Sequence, residues 1–339
     1  MPNTSSHPPS TIYPTQLLFL QDGISVTATI LTPDATTGGT NTSNAIDPDI
    51  EHNGIIVTLY LHRHAEKNVI NPTMIQLLNE ALDVIESHDL LANTNNKSLI
   101  LTGLSPPTRT TTTESTTAPS SPTPHGKFFS NGLDLEWMLQ SSSSSSASET
   151  PSMIQNYNSQ ILARILTLPF RTVAAIHGHC IGAGLFLALA CDYRIMRTER
   201  GYIQWPEARL GMRLTKGFAE LSKAKIVAWR QYSDGVRGDV TTTTTMRLDR
   251  NVLREGIFTA KKYTPSEAFE CGIVDSLCSV EELYQHAFQW AVDGLPESGG
   301  MKLEYFDPKA YSMMKMEMYT DAYRALKFGS VEDLPYSRI

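Results

Sequence analysis

Only four cysteines, Cys180, Cys191, Cys271 and Cys278, occur in 339 residues, and their spacing makes no disulfide framework. That pattern suits a reducing or thiol-neutral compartment rather than secretion. There is no long basic run, and 28 Lys and Arg against 35 Asp and Glu leave a net charge of −7, so nucleic acid is not an expected partner. Met1–Pro14 is polar and proline-bearing, with no apolar stretch and no arginine, which predicts neither a signal nor a transit peptide. The most apolar run, around Leu185–Cys191, is far too short for a membrane span. Neither G-x-x-x-x-G-K-[ST] nor G-x-G-x-x-G is present, which removes the common nucleotide fingerprints. Ser130 lacks a G-x-S-x-G setting, which argues against a serine hydrolase. His177 and His179 have no cysteine or carboxylate at ligand spacing, so structural histidines are favoured over a metal site and no metal is expected.

What is present is a chain 41% hydrophobic, enough for one substantial core, although length alone allows two domains. Residues 1–16 read as a flexible N-terminal segment, 17–279 as an α/β core, and 280–339 as a helical C-terminal region. Ile24–Thr32 and Ile55–Leu61 alternate as strands that pair across a polar loop, and Ser98–Thr102 is a further strand. Pro72–Ser87 carries the spacing of an amphipathic helix, and Met153–Thr167 returns to a helical pattern. Low-complexity insertions fall near 34–53, 105–124, 141–152 and 234–250, the last with five consecutive threonines. Stretches rich in Ser, Thr and Pro bury too little apolar surface to offset ordering and are expected to be loops.

The densest chemical signal lies between Thr172 and Glu207. A buried-strand run, Val173–Ile176, enters the glycine-spaced turn Gly178-His-Cys-Ile-Gly182-Ala-Gly184, and the apolar helix Leu185–Ala190 follows. A strand feeding a glycine turn into a helix leaves backbone N–H groups unpaired at the helix start, where the dipole favours negative charge. A second strand, Tyr193–Met196, leads on to a lone acid, Glu207, beside Trp205 and Pro206. Upstream, Lys127-Phe-Phe-Ser-Asn-Gly-Leu-Asp-Leu135 repeats the strand-to-turn-to-helix pattern. Asn-Gly-x-Asp is good turn chemistry, so Asp134 reads equally as a cap or as part of a ligand loop.

These two turns, in order and about fifty residues apart, resemble those of the enoyl-CoA hydratase/isomerase (crotonase) family. The resemblance extends to His62-Arg-His-Ala-Glu-Lys-Asn-Val-Ile-Asn71, similar to that family's CoA-contacting loop, and to Thr264-Pro-Ser-Glu-Ala-Phe-Glu-Cys-Gly-Ile-Val-Asp275. It implies a ββα superhelix with a C-terminal helical region, and an oxyanion hole made by the backbone N–H groups of Leu133 and Ala183. It further implies substrate contacts from Ala65, Glu66, Asn68, Ser130, Asn131, Gly132, Asp134, Gly182, Phe186 and Trp205. No cofactor is implied beyond the CoA of the substrate itself.

The acids choose among the reactions of this family. Members that hydrate carry two glutamates; here the first of those positions is Phe186 and the second is Glu207. The dienoyl-CoA isomerases carry an acid eight residues beyond the Pro-Glu acid, where this chain has Thr215. The single-acid pattern resembles the Δ3,Δ2-enoyl-CoA isomerases, and Asp192-Tyr-Arg-Ile-Met-Arg and Arg200-Gly-Tyr are similar to the peroxisomal ones of plants. The expectation is therefore a proton shuttle by Glu207, its pKa raised by a pocket of Trp205, Phe186 and Met138. Phe186 reads more readily as core than as substrate contact. The open alternatives are hydration or thioester hydrolysis using an acid from an insertion, Glu220 or Asp234, and a non-catalytic acyl-CoA-binding subunit. The tripeptide Ser337-Arg338-Ile339 is similar to the S-K-L import signal, with Ile a departure from its strongest form. It suggests a peroxisomal location and an import receptor as partner. A homotrimer or hexamer is implied by the resemblance alone.

Overall fold

The computed structural model describes residues 15–31, 54–92, 94–106, 126–143, 149–226, 229–233, 244–248, 251–295, 302–305 and 307–329. The expected loops 34–53 and most of 105–124, the N-terminal fourteen residues and Ser337-Arg338-Ile339 lie outside them.

In chain order the strands are β1 (Thr15–Gln21), β2 (Ile24–Leu31), β3 (Gly54–Leu61), β4 (Lys97–Thr102), β5 (Phe128–Ser130), β6 (Arg171–Ile176), β7 (His179–Ile181), β8 (Tyr193–Arg197), β9 (Ile203–Gln204), β10 (Trp229–Ser233), β11 (Thr244–Leu248), β12 (Lys262–Tyr263) and β13 (Ser276–Cys278). The helices used below are α1 (Pro72–Ser87), α2 (Asp89–Ala92), α3 (Leu135–Ser143), α4 (Glu149–Asn156), α5 (Ala163–Thr167), α6 (Ala183–Ala190), α7 (Glu207–Leu210), α8 (Lys216–Lys225), α9 (Asn251–Thr259), α10 (Pro265–Glu270), α11 (Leu283–Asp293), α12 (Pro308–Met318) and α13 (Thr320–Phe328).

Seven strands form one sheet in the order β1-β2-β3-β4-β6-β8-β13, antiparallel through β3 and parallel beyond it. A second sheet, β12-β9-β7-β5, is built from short strands, of which β5, β7 and β9 each follow a strand of the first. The chain thus repeats a unit of long strand, short strand and helix: β4 and β5 into α3, β6 and β7 into α6, β8 and β9 into α7 and α8. This is the expected ββα winding. Each unit delivers the end of a short strand and the start of a helix to the same region, because parallel strands share a direction.

Both faces of the large sheet are covered, so its central strands are continuous apolar runs. Ile56, Ile100, Val173, Ala175 and Ile195 pack against Leu283, Ala287 and Trp290 of α11. Their neighbours Ile55, Val57, Leu99, Leu101, Ala174 and Ile176 join the main core with α1 and α6. The alternation read in Ile24–Thr32 is real in chemistry, but Ser25, Thr27 and Thr29 are buried as well. The helix read over Pro72–Ser87 has those bounds, with Asn71 accepting from the Met74 N–H at 3.0 Å and Pro72 at its first position.

Three stretches differ from the sequence reading. Met153–Thr167 is not one regular helix: a π-helical turn, Tyr157–Leu162, joins α4 to α5. The insertion near 141–152 is helical at both edges, where α3 runs to Ser143 with Ser141 Oγ donating to the Trp137 carbonyl and α4 begins at Glu149. Within 234–250, β11 pairs antiparallel with β10, which precedes that stretch, and Thr244 and Thr245 of the threonine run lie in β11, consistent with the strand preference of β-branched threonine.

The C-terminal helices are held to the core by buried charge. Asp192, just after α6, accepts from the Thr172 N–H at 2.9 Å and from Tyr311 Oη at 3.1 Å, and pairs with Lys315 Nζ at 2.8 Å and Lys225 Nζ at 3.9 Å. Burial opposes ionisation of this carboxyl, but Lys315 and Lys225 outweigh it and hold it below the usual range. Asp192→Asn would strand two buried ammonium groups. Removing one partner of such a network costs about 3–5 kcal/mol, so urea unfolding should shift to lower midpoint by that free energy; a midpoint equal to wild type would mean that Asp192 does not anchor α12.

Candidate active site

The two glycine turns meet through backbone. Gly132 has φ +88°, and a Cβ there would lie 2.8 Å from the Ile181 carbonyl and 3.4 Å from the Ala183 nitrogen. Only glycine fits both that conformation and that approach. On the other side, Ile70 forms a parallel bridge with Leu133: its N–H donates to the Gly132 carbonyl at 2.8 Å, and its carbonyl accepts from the Asp134 N–H at 3.0 Å. Bonding to the residues flanking Leu133 leaves the N–H of Leu133 itself pointing away from Ile70. Ala183 is the first residue of α6, after Gly182 at φ +50° and ψ −120°. Neither the Leu133 nor the Ala183 N–H meets an acceptor among the described residues.

The loop expected to contact CoA is strapped to the first turn. Asn68 is buried with φ +51°; its Nδ2 donates to the Leu61 and Phe129 carbonyls, each at 3.0 Å. Ser130 Oγ donates to the Asn68 carbonyl at 2.7 Å and accepts from the Gly132 N–H at 3.2 Å, and the Asn131 N–H donates to the Lys67 carbonyl at 3.0 Å. Asn68 and Ser130 therefore shape the turn from inside rather than offering side chains outward. Ala65 and Glu66 are exposed. Asp134 takes the capping role: Oδ1 caps α3 through the Trp137 N–H, and Oδ2 accepts from Asn71 Nδ2, each at 3.0 Å.

Glu207 begins α7 directly after Pro206 and lies against the second turn. A Cβ built on Gly182 would be 3.3 Å from Pro206 Cγ and 3.8 Å from Glu207 Oε1. Its side chain is buried, and Oε2 has no hydrogen-bond partner among the described residues. Burial pushes the carboxyl up from 4.5 to about 7, only partly offset by a hydrogen bond from its own backbone N–H. A carboxyl in that range can both take and return a proton near neutrality.

Two of the expected substrate contacts, Phe186 and Trp205, are fully buried in the core, as expected more readily for Phe186. Phe186 stacks on Phe218 with ring centroids 4.0 Å apart and planes 9° from parallel. Trp205 packs edge-on to Tyr263 and donates through Nε1 to Ser222 Oγ at 3.2 Å. Met138 is partly buried against the same core. A groove of about 470 Å³ between α1, α3 and α4, lined by Ile75, Asn79, Trp137 and Met153 among others, touches none of Glu207, Leu133 and Ala183. Of the reserve acids, Glu220 pairs with Lys223 at 2.8 Å on the surface of α8, and Asp234 lies outside the described residues. Thr215, at the other acid position, caps α8 by accepting from the Phe218 N–H. No group of three His, Cys, Asp or Glu among the described residues is placed to hold a metal, and no described helix is long and apolar enough to cross a membrane.

Tyr157 was invisible to the sequence reading. It donates a 2.7 Å hydrogen bond to the Ala183 carbonyl from 26 residues upstream, and no local pattern announces such a contact.

Residues 123–227 match the family described as enoyl-CoA hydratase/isomerase. Among curated relatives, enoyl-CoA delta isomerase 2, peroxisomal, of Arabidopsis thaliana is 36% identical over 155 residues, 45% of this chain and 55% of that protein. Enoyl-CoA delta isomerase 3 of the same plant is 34% identical over 154 residues, with the same shares. The chain thus spans about half the length of these relatives. A fatty acid oxidation complex subunit alpha of Aliivibrio fischeri is 40% identical over 85 residues, 25% of this chain and 12% of that protein. Among solved structures, a probable enoyl-CoA hydratase of Mycobacterium tuberculosis aligns with TM-score 0.58 at 20% identity, covering 82% of this chain and 90% of that one. An enoyl-CoA hydratase of Bacillus halodurans gives TM-score 0.58 at 19% identity over the same shares. The match to the enoyl-CoA hydratase/isomerase family thus covers residues 123–227, and the fold over most of the chain is that of these solved structures.

The raised carboxyl makes a stability prediction. Below 4.5 Glu207 is protonated in folded and unfolded chains alike; between 4.5 and about 7 the unfolded chain releases the proton first. Folding is therefore weakened as pH rises through that window and stays weaker above it, by on the order of 3 kcal/mol. Glu207→Gln removes the titration, so its unfolding free energy relative to wild type should grow by that order between pH 4 and pH 8. A difference flat with pH would contradict a buried carboxyl at this position.

Proposed function

We propose that the chain is a Δ3-Δ2-enoyl-CoA isomerase acting in the oxidation of unsaturated fatty acids. The observation that carries this reading is Glu207, a buried carboxyl with an unpartnered oxygen against the Gly182 turn, while the position of a second acid is filled by Phe186 stacked in the core. A buried phenyl pair leaves no group there to orient a water. One acid is sufficient for moving a double bond and insufficient for adding water.

In the proposed reaction Glu207 takes a proton from C2 of a 3-enoyl thioester. The C2–H electrons form a C1=C2 bond and push the carbonyl electrons onto the thioester oxygen, giving a dienolate that keeps C3=C4; when C4 is protonated, the oxygen charge returns to the carbonyl and C2=C3 forms. The N–H groups of Leu133 and Ala183 donate to that oxygen, each contributing about 3 kcal/mol by comparison with other oxyanion holes. The protonated Glu207 then delivers the same proton to C4, giving the 2-enoyl thioester with atoms and charge balanced. The apolar surroundings of Glu207 disfavour exchange of that proton with water.

The Arabidopsis relative named peroxisomal supports a peroxisomal location for this chain, with Ser337, Arg338 and Ile339 read by the import receptor. A fluorescently tagged chain lacking these three residues should remain in the cytosol, and punctate peroxisomal signal from it would refute that address.

The deciding assay compares 3-hexenoyl-CoA with 2-hexenoyl-CoA. Isomerisation of the first without hydration of the second is expected, and the reverse preference would favour hydratase chemistry. Tight binding of both without turnover would mark a non-catalytic binding subunit. Glu207→Gln should lower kcat roughly 10²–10⁴-fold with KM little changed, and turnover within about tenfold of wild type would remove Glu207 from the mechanism. Ala183→Pro deletes one donor and should cost on the order of 100-fold in a folded protein.

A further inference from the structure

Tyr157 opens the π-helical turn Tyr157–Leu162, a wider turn of the kind that recurs at functional sites. Its ring is fully buried, and its hydroxyl donates 2.7 Å to the carbonyl of Ala183. Burial pushes the phenol pKa well above its ordinary value, so the group stays a donor across the working pH range. The acceptor carbonyl belongs to the residue whose N–H is one of the two proposed oxyanion donors.

The remaining restraints on that residue come from other directions. The Gly182 N–H donates to the Gln204 carbonyl at 3.0 Å, and the Gly182 carbonyl accepts from Leu185 and Phe186 at 2.9 and 3.1 Å. Gly184 is pressed against Ser130, where a Cβ would meet Ser130 Cβ at 2.5 Å. Tyr157 holds the peptide that follows Ala183, which these contacts leave alone. Its ring also stands edge-on to Phe218 at 6.4 Å, and Phe218 stacks on Phe186, one turn beyond Ala183 on the same face of α6. The turn has freedom that needs restraint: Gly182 sits at φ +50° and ψ −120°, a conformation open to glycine, whose backbone has many alternatives.

We propose that Tyr157 is a positioning residue, whose hydroxyl fixes the first residue of α6 so that the Ala183 N–H is aimed at the thioester oxygen. The proposal rests on the isomerase reading for its catalytic consequence, but its geometric content stands on the contact itself. A donor aimed slightly wrong loses stabilisation in the transition state more than in the bound ground state, so kcat should suffer and KM should not.

The test is Tyr157→Phe, which keeps the ring and its packing. Tyr263→Phe serves as control, since Tyr263 Oη makes a similar buried bond, 2.8 Å to the Val252 carbonyl, away from α6. Both variants should fold and lose similar thermal stability. With 3-hexenoyl-CoA, Tyr157→Phe should lower kcat about tenfold, equivalent to about 1.4 kcal/mol, with KM within about twofold, while Tyr263→Phe keeps wild-type kcat. Amide hydrogen exchange over residues 183–187 should quicken in Tyr157→Phe alone. Wild-type kcat in Tyr157→Phe, or an equal fall in both variants, overturns the proposal. If wild-type protein itself does not turn over 3-hexenoyl-CoA, the isomerase reading fails separately, and exchange decides the positioning claim alone: unaltered exchange overturns it.

Discussion

The site depends on one close backbone contact, that of Gly132 with the turn at Ile181–Ala183. A methyl group on Gly132 would sit 2.8 Å from the Ile181 carbonyl, so any side chain there would separate the two turns. Their separation matters because backbone donors cannot reach: an N–H is useful only where the whole chain places it. The Ile70–Leu133 bridge and the cap that Asp134 provides for α3 hold the first turn from behind. The start of α6 and its contact with Ser130 hold the second. In the proposed reaction each turn supplies one donor, so both ββα units are needed to complete the site.

Glu207 is the counterpart in side chains. Its burial costs the fold stability at neutral pH, and the same burial gives it a pKa from which a proton can pass either way. Such a group persists only if other contacts offset it. Asp192 and its two lysines are one such offset, tying α6, α8 and α12 together at the end of α6 opposite the Ala183 turn. Arg171 is another, its guanidinium bonded to the Trp290 and Ala291 carbonyls at 3.0 and 2.9 Å and so fastening α11 to the large sheet. The charged groups that stabilise the scaffold are paired; the carboxyl that would do chemistry has an oxygen left unpaired.

Much of this was legible in the residues. The glycine-spaced turns, the buried strands and the helix from Pro72 to Ser87 are written in local patterns of apolar spacing, capping and turn chemistry, which need no tertiary information. The lone acid Glu207 is visible in the sequence, but its burial is not. Phe186 and Trp205 show the limit from the other side: large rings near a candidate acid read as pocket walls, yet packing turned both fully into the core. Asn68 looked like a ligand contact because it lies in the right loop, and only the structure reveals its amide turned inward to three carbonyls. The strand that starts at Thr244 is hard to read from the residues because its partner, Trp229–Ser233, lies across an intervening segment of low complexity.

Tyr157 sharpens the distinction between composing a site and tuning it. The proposed donors Leu133 and Ala183 and the proposed base Glu207 are named from motif positions, because the resemblance ties each to a short local pattern. The group that fixes Ala183 is under no such constraint of order: any element that packs on α6 could supply it, and here the supplier is a π-helical turn between α4 and α5. A regular α-helix through Met153–Thr167 would rotate the segment beyond the turn about the helix axis relative to Tyr157, so that segment and the hydroxyl could not both keep their present contacts. The irregular turn lets Tyr157 face α6 while Ile161, Leu162 and Ile165 remain in the core. The departure from regular structure, in this view, is the local cost of satisfying the packing of one helix and the orientation of another with the same short segment.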